Sequence, residues 1–151
     1  MNFIQKEIEE LEQMITHCNR VNRKVSQVSA GWHIDHSLQV INMVCKLLIN
    51  SDPTAYKWSF NFVRSAIFLL NFIPRGKGSA PQSVTPQGEI LEETLYSQLE
   101  KAKKQSMDTI DLPGDSHFDH PYFGMLDLQM TKKFLLIHTR HHLKIIRDIT
   151  L

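Results

Sequence analysis

The sequence lacks an apolar run long enough to cross a membrane. Its most apolar stretch, Trp58 to Ile73, is broken by Asn61, Arg64, Ser65 and Asn71 and is shorter than the ~20 residues a helical span needs, so it reads as a buried helix. An excess of either charge is also lacking. The 17 basic and 16 acidic residues nearly cancel, leaving no strong field to steer the chain to nucleic acid or to an anionic membrane. Cysteine is scarce: Cys18 and Cys45 fall within helical patterns and make no close-spaced pair, which argues against a disulfide framework and a cysteine-built zinc knuckle. The opening residues, Met1 to Leu11, carry acidic side chains and no apolar core where a secretory signal would need one. These absences lead to the expectation of a soluble protein in a reducing, cytoplasmic setting, with no nucleic acid or membrane partner.

Familiar catalytic signatures are absent too. There is no His-Glu-x-x-His, no Glu-x-x-His of the kind di-iron bundles use, no Walker loop and no nucleophile elbow. No repeat of 20 to 50 residues and no strand-like alternation appears. What is present is ordinary globular material: 151 residues, 42% hydrophobic and 22% charged, enough for one domain over the whole chain and one core.

That material is patterned as helices. Ile4, Ile8, Leu11, Ile15, Cys18 and Val25 recur at steps that put one face inward, predicting a first helix over Asn2 to Lys24. Ser29 can cap a second helix that ends before Ser51-Asp52-Pro53. Its expected inner line is Trp32, His36, Val40, Met43 and Leu47, with Asp35, Gln39, Asn42 and Lys46 on the solvated side. A third, aromatic-rich helix is expected over Thr54 to Phe72. Residues 73–88, with three glycines and three prolines, form a loop long enough to serve as a lid or binding loop. A fourth helix is predicted over Gly88 to Lys104, with Ile90, Leu91, Leu95, Leu99 and Ala102 on its apolar side. An acidic, histidine-bearing loop from Ser106 to Gly124 leads to a last helix capped by Asp127 and reaching Ile149. The fold class is therefore all-α: a bundle of four main helices with long crossovers and an additional short helix.

The chemistry lies in the histidines. On the last helix Leu128, Leu135, Ile145, Ile146 and Ile149 define the buried face. At 100° per residue His138 and His142 fall near its centre and His141 toward its edge. Two imidazoles one turn apart can reach a single ion at a nitrogen-to-zinc distance of about 2.0–2.1 Å, and His36 from the second helix supplies a third. Three polar rings in an apolar interior cost free energy unless each finds a partner, and one shared ion answers all three. Three imidazoles leave positions open on zinc or nickel, as a catalytic site requires. His33, one turn before His36, ranks second as a ligand because it sits nearer the helix start. His117 and His120 are expected in a solvated acidic loop and His17 at the surface.

Taken together, these residues resemble the DinB-like superfamily, also called the YfiT-like metal-dependent hydrolases, over essentially the whole chain. The resemblance is carried by His36-Ser37-Leu38 in the second helix and by His138-x-x-x-His142 in the last. It is closest to a branch with a His-Pro-aromatic-Phe-Gly loop and a His-x-x-His-His-Leu last helix, here His120-Pro121-Tyr122-Phe123-Gly124 and His138-Thr139-Arg140-His141-His142-Leu143. It implies a four-helix bundle, frequently dimeric, with a divalent metal held by His36, His138 and His142. It further implies hydrolase chemistry or thiol transfer with a low-molecular-weight thiol. Many members follow the final histidine with Arg-Gly-Gln where this chain has Leu143-Lys144-Ile145, a departure that weakens the thiol-transferase reading.

Two functions follow as expectations. One is a metal-dependent enzyme in which the His36/His138/His142 site activates water or a thiol toward a small-molecule substrate. The other is a noncatalytic binding or scaffold protein in which the histidines are structural. A homodimer is expected from the apolar third helix and from Leu136 and Leu143, which lie off the core stripe of the last helix. No general base is evident: Asp35 is expected to face outward, and Tyr122 and His120 are only loop candidates.

Overall fold

Apolar stripes build the helices, and three of them begin at a capping side chain, Ser29, Asn61 or Asp127. The computed structural model describes residues 2–76 and 78–151. Among these are five α-helices: α1 (Gln5–Met14), α2 (Ala30–Ile49), α3 (Phe62–Leu70), α4 (Glu92–Asp108) and α5 (Leu128–Thr150). A short antiparallel hairpin, β1 (Phe118–His120) with β2 (Gly124–Leu126), precedes α5. The protein is thus mostly helical, and one core made chiefly by α1, α2, α4 and α5 runs through it. None of the described helices is long and apolar enough to cross a membrane.

α1 is shorter than its periodicity suggests. After Met14 the chain tightens into a 3₁₀ turn over Ile15–His17 and then leaves the helix. Polar side chains in the following segment bond to their own backbone: Asn22 accepts from the Lys24 amide at 3.2 Å and Ser26 from the Val28 amide at 3.3 Å. Such local bonds compete with the helical ladder, so the expected continuation to Lys24 is not made. The segment folds back on the start of α2, where the Gly31 amide donates to the Cys18 carbonyl at 2.8 Å. A Cβ at Gly31 would lie 2.8 Å from that same oxygen, so the approach requires glycine.

α2 begins as expected, with Ser29 accepting from the Trp32 amide at 3.2 Å. It is the central helix, packed against both α4 and α5, and this changes its inside and outside. Asp35 and Asn42, expected on the solvated side, are buried, and Leu47, expected inside, is 45% exposed. A helix flanked by two others is covered over most of its circumference, so a single inner stripe does not describe it. Asp35 accepts from Gln39 at 3.0 Å and from Gln98 of α4, while Asn42 donates to the Gln98 carbonyl at 3.1 Å.

α4 starts and ends later than the predicted Gly88–Lys104 and buries Leu95, Leu99 and Ala102 as expected. Leu91, placed on its apolar side by the sequence, occupies the N-cap position and is exposed. The stretch Trp58 to Ile73 departs further from expectation. Only a nine-residue helix forms there, capped by Asn61 and closed by Asn71 in the left-handed region at φ 49°. It lies outside the main core, with Trp58 65%, Phe62 76% and Leu69 82% exposed. α3 is anchored by Ile67 and Phe68 against the core and by polar contacts: buried Arg64 donates to the Phe123 carbonyl at 3.1 Å and to the Ser59 carbonyl, and Asn61 donates to the Tyr122 carbonyl at 3.0 Å.

Part of the expected acidic loop is the hairpin, in register His120↔Gly124 and Phe118↔Leu126, with Gly124 at φ 70°. Three-residue strands are too short to leave a readable alternation in sequence. α5 follows with Asp127 accepting from the Met130 amide at 2.8 Å, as predicted. Leu143 is fully buried and Leu136 packs partly against the core, so these two do not form the free surface expected of them.

Candidate metal centre

The capped starts of α2 and α5 fix the rotation of both helices, and that rotation brings three histidines together. His36, His138 and His142 each offer a ring nitrogen, and the three nitrogens lie within 4.8 Å of one another. Ring centroids are 5.1 Å apart for His36–His138, 4.7 Å for His36–His142 and 4.6 Å for His138–His142. Trp32 stacks on His36 at 5.1 Å and 21°, walling the site on the α2 side. His36 and His142 are buried and His138 is partly buried.

Hydrogen bonding decides which nitrogen of each ring is free. The Nδ1 of His36 lies 2.7 Å from the Val84 carbonyl. A carbonyl only accepts, so this Nδ1 carries the proton, and in the neutral ring Nε2 is left as a lone pair. Support of this kind, from a backbone carbonyl to the far ring nitrogen, is the usual way a histidine ligand is oriented. It comes from the Pro- and Gly-rich connection between α3 and α4, whose 3₁₀ turn Gln82–Val84 packs onto α2. The expected loop therefore supplies the carbonyl that meets His36.

The freed Nε2 of His36 faces the Nε2 of His138 at 3.2 Å. Two nitrogens bound to one tetrahedral ion at about 2.0–2.1 Å would be separated by about 3.3 Å, so the observed gap is close to one edge of such a site. The Nδ1 of His138 is buried with no hydrogen-bond partner. The Nδ1 of His142 is engaged by the Nδ1 of His33 at 2.9 Å, which leaves His142 Nε2 for the centre.

Electrostatics favours uncharged rings. Burial, reinforced by charge on the neighbouring imidazoles, holds His138 and His142 well below the ordinary histidine range. Burial also lowers His36, against a raising contribution from the Val84 carbonyl and Asp35. Neutral imidazole is the metal-binding form. The residues present therefore fit a divalent ion of the zinc or nickel type, which nitrogen donors suit.

The remaining histidines sort by position. His141 lies outside the cluster, its ring 5.0 Å from that of His142, as the helical-face argument predicts. It helps line a groove of about 460 Å³ together with Phe72, Ile73, Arg75, Ile137 and Arg140. His33 is not near solvent as expected: it is buried between His142 and Ser26, with Ser26 Oγ 2.9 Å from its Nε2. Its supporting position was missed because a one-turn offset on a helix does not reveal what stands opposite. His120 is not in a solvated loop either. It stacks on Phe123 at 4.2 Å and 10°, and its Nδ1 accepts from the Tyr122 and Phe123 amides at 3.1 and 3.2 Å. Burial pushes it down to about 4. His117 sits beside Tyr56, and His17 is exposed as expected. Asp35 is hydrogen-bonded toward α4, which removes the outward position assigned to it without making it a base for this site.

No family model, no curated protein and no solved structure matches this chain.

Proposed function

We propose that this protein is a divalent-metal-dependent enzyme of the hydrolase or thiol S-transferase type, built on a DinB-like four-helix bundle and acting on a small molecule. The observation that carries the reading is the convergence of His36, His138 and His142 within 4.8 Å in the interior. A zinc or nickel ion there supplies a positive charge that lowers the pKa of a water or thiol beside it and makes a nucleophile available near neutral pH. The chain's own contribution is to hold and orient. Val84 fixes the tautomer of His36, Trp32 covers the ring face, and neutral imidazoles leave the cation's charge uncompensated for the nucleophile. The groove beside His141 has an apolar floor at Ile137 and basic groups at Arg75, Arg140 and Lys144, and it is the place for substrate in this reading. Three protein ligands rather than four favour an open, catalytic site over a closed structural one.

A noncatalytic reading draws on one specific contact. The 3.2 Å approach of His36 and His138 also suits a hydrogen bond between two neutral rings, with the cluster serving only as a polar core. Elemental analysis of protein purified without an affinity tag separates the two. About one zinc or nickel per chain is expected of the enzyme, and metal-free protein that also fails to take up either ion on titration would leave only the polar-core reading. For the exposed aromatic surface around α3 the proposed occupant is a second copy of the chain, in a homodimer.

A further inference from the structure

The chain Ser26–His33–His142 joins the loop before α2 to the candidate centre through two contacts of 2.9 Å. Both nitrogens of His33 are engaged, so its ring cannot serve as a fourth ligand without breaking this line. The protons on the line can run in only two ways. In one, His142 donates from Nδ1 to His33 Nδ1, His33 donates from Nε2 to Ser26, and His142 Nε2 presents a lone pair to the centre. In the other, Ser26 donates to His33 and His33 donates to His142, whose Nε2 then carries a proton and cannot bind a metal. Ser26 Oγ accepts from the Val28 amide at 3.3 Å and keeps a second lone pair for the His33 Nε2–H of the first arrangement.

We infer that His33 is a positioning residue that accepts the Nδ1–H of His142 and so directs the His142 Nε2 lone pair at a divalent cation, an inference that rests on the reading of His36, His138 and His142 as a metal site. The separation of 109 residues between His33 and His142 makes this a tertiary device, in which the first turn of α2 orients a ligand near the end of α5. It matches the support that Val84 gives His36, so two of the three imidazoles have a partner on the nitrogen facing away from the centre.

The test compares His33→Leu with His33→Asn by zinc titration against a chromophoric chelator, with helical circular dichroism and melting as folding controls. Asparagine places an acceptor oxygen near the position of the lost Nδ1 and leucine does not. His33→Leu is expected to bind zinc about 10–100-fold more weakly, the range typical for loss of such a partner, and His33→Asn to recover most of that loss. Equal affinities for wild type and His33→Leu, or equal losses in both variants with native folding, would overturn the inference. Nitrogen-15 NMR of the metal-free protein gives a second readout: His142 is expected with its proton on Nδ1 in the wild type and as a mixture of tautomers in His33→Leu. A wild type with the proton on Nε2 would overturn the inference. A wild type that shows the expected tautomer but takes up no zinc would leave His33's orienting contact standing and overturn the metal site, so the two failures are distinguishable.

Discussion

The two long faces of α2 are both polar in part, and they differ in how that polarity is satisfied. Toward α4, Asp35, Gln39, Asn42 and Gln98 form an amide and carboxylate network in which each side-chain amide donor meets an acceptor, while the buried Oδ1 of Asn42 has no partner. Toward α5, the Nε2 atoms of His36 and His138 face each other at 3.2 Å, and the buried Nδ1 of His138 has no partner. The α4-side network ties two helices together and serves packing and register. Each face keeps one buried unpartnered atom, and what distinguishes the α5 face is the convergence of three imidazole nitrogens, which could hold a metal ion.

The largest expected effect tests that contrast at the ligands. His142→Ala should weaken zinc binding by at least about 100-fold, or roughly 2.7 kcal/mol, whereas His141→Ala should stay within about threefold. Both substitutions delete one imidazole from adjacent positions, so calorimetric titration of the two, with native circular dichroism in each, isolates the helical face. Comparable losses in both would mean that the three-nitrogen geometry does not describe the ligand set.

The next effect lies in stability and should have opposite signs on the two faces. Asp35→Ala strands the amides of Gln39 and Gln98 and should cost about 1–3 kcal/mol in urea unfolding, with zinc affinity unchanged. His138→Leu removes a buried unpartnered nitrogen and should leave metal-free protein as stable as the wild type, or more stable by up to about 1 kcal/mol, while abolishing zinc binding. If His138→Leu destabilises the metal-free protein as much as Asp35→Ala does, the α5 face is a structural polar core like the other.

Acid should also distinguish the faces. Burial lowers the imidazoles of the α5 side, with His33 at about 4, and the separate His120 also at about 4. The unfolded chain takes up protons at these positions first, as pH falls through about 6.5. Their contribution to stability is therefore full above that pH and is lost as pH drops toward 4. Asp35 has the reverse sign: burial raises its pKa in the folded protein despite hydrogen bonds from Gln98 and Gln39, so its contribution is full at low pH and is lost as pH rises through the folded value. Melting of metal-free protein should thus fall between about pH 6.5 and 4, and Asp35→Asn should leave that fall in place. A flat profile over this window would show that the imidazoles are not held neutral by burial.

The smallest effect concerns the surface around α3, where Trp58, Phe62 and Leu69 stay exposed. Light scattering over a concentration series should show a dimer, and Phe62→Glu with Leu69→Glu should return it to monomer with little change in zinc affinity. A monomer at all concentrations would remove the second copy as the occupant of that surface.

Ser29 and Asp127 as caps, the apolar steps of α2 and α5, and the angular positions of His138, His141 and His142 were legible in the chain, because a helix fixes the relation of residues three and four apart. From them came the helical class, the starts of α2 and α5, and a metal-type triad whose members do converge. Periodicity could not tell which other element covers a face. Asp35 and Asn42 looked solvated until α4 was placed against them, Leu143 looked free until the core closed over it, and the stretch from Trp58 to Ile73 looked buried although much of it remains outside. Likewise only the folded chain brings the Val84 carbonyl to His36 and His33 to His142. Local spacing determines where a side chain points on its own helix, whereas its partner on the far ring nitrogen depends on packing between segments distant in sequence, which no local rule encodes.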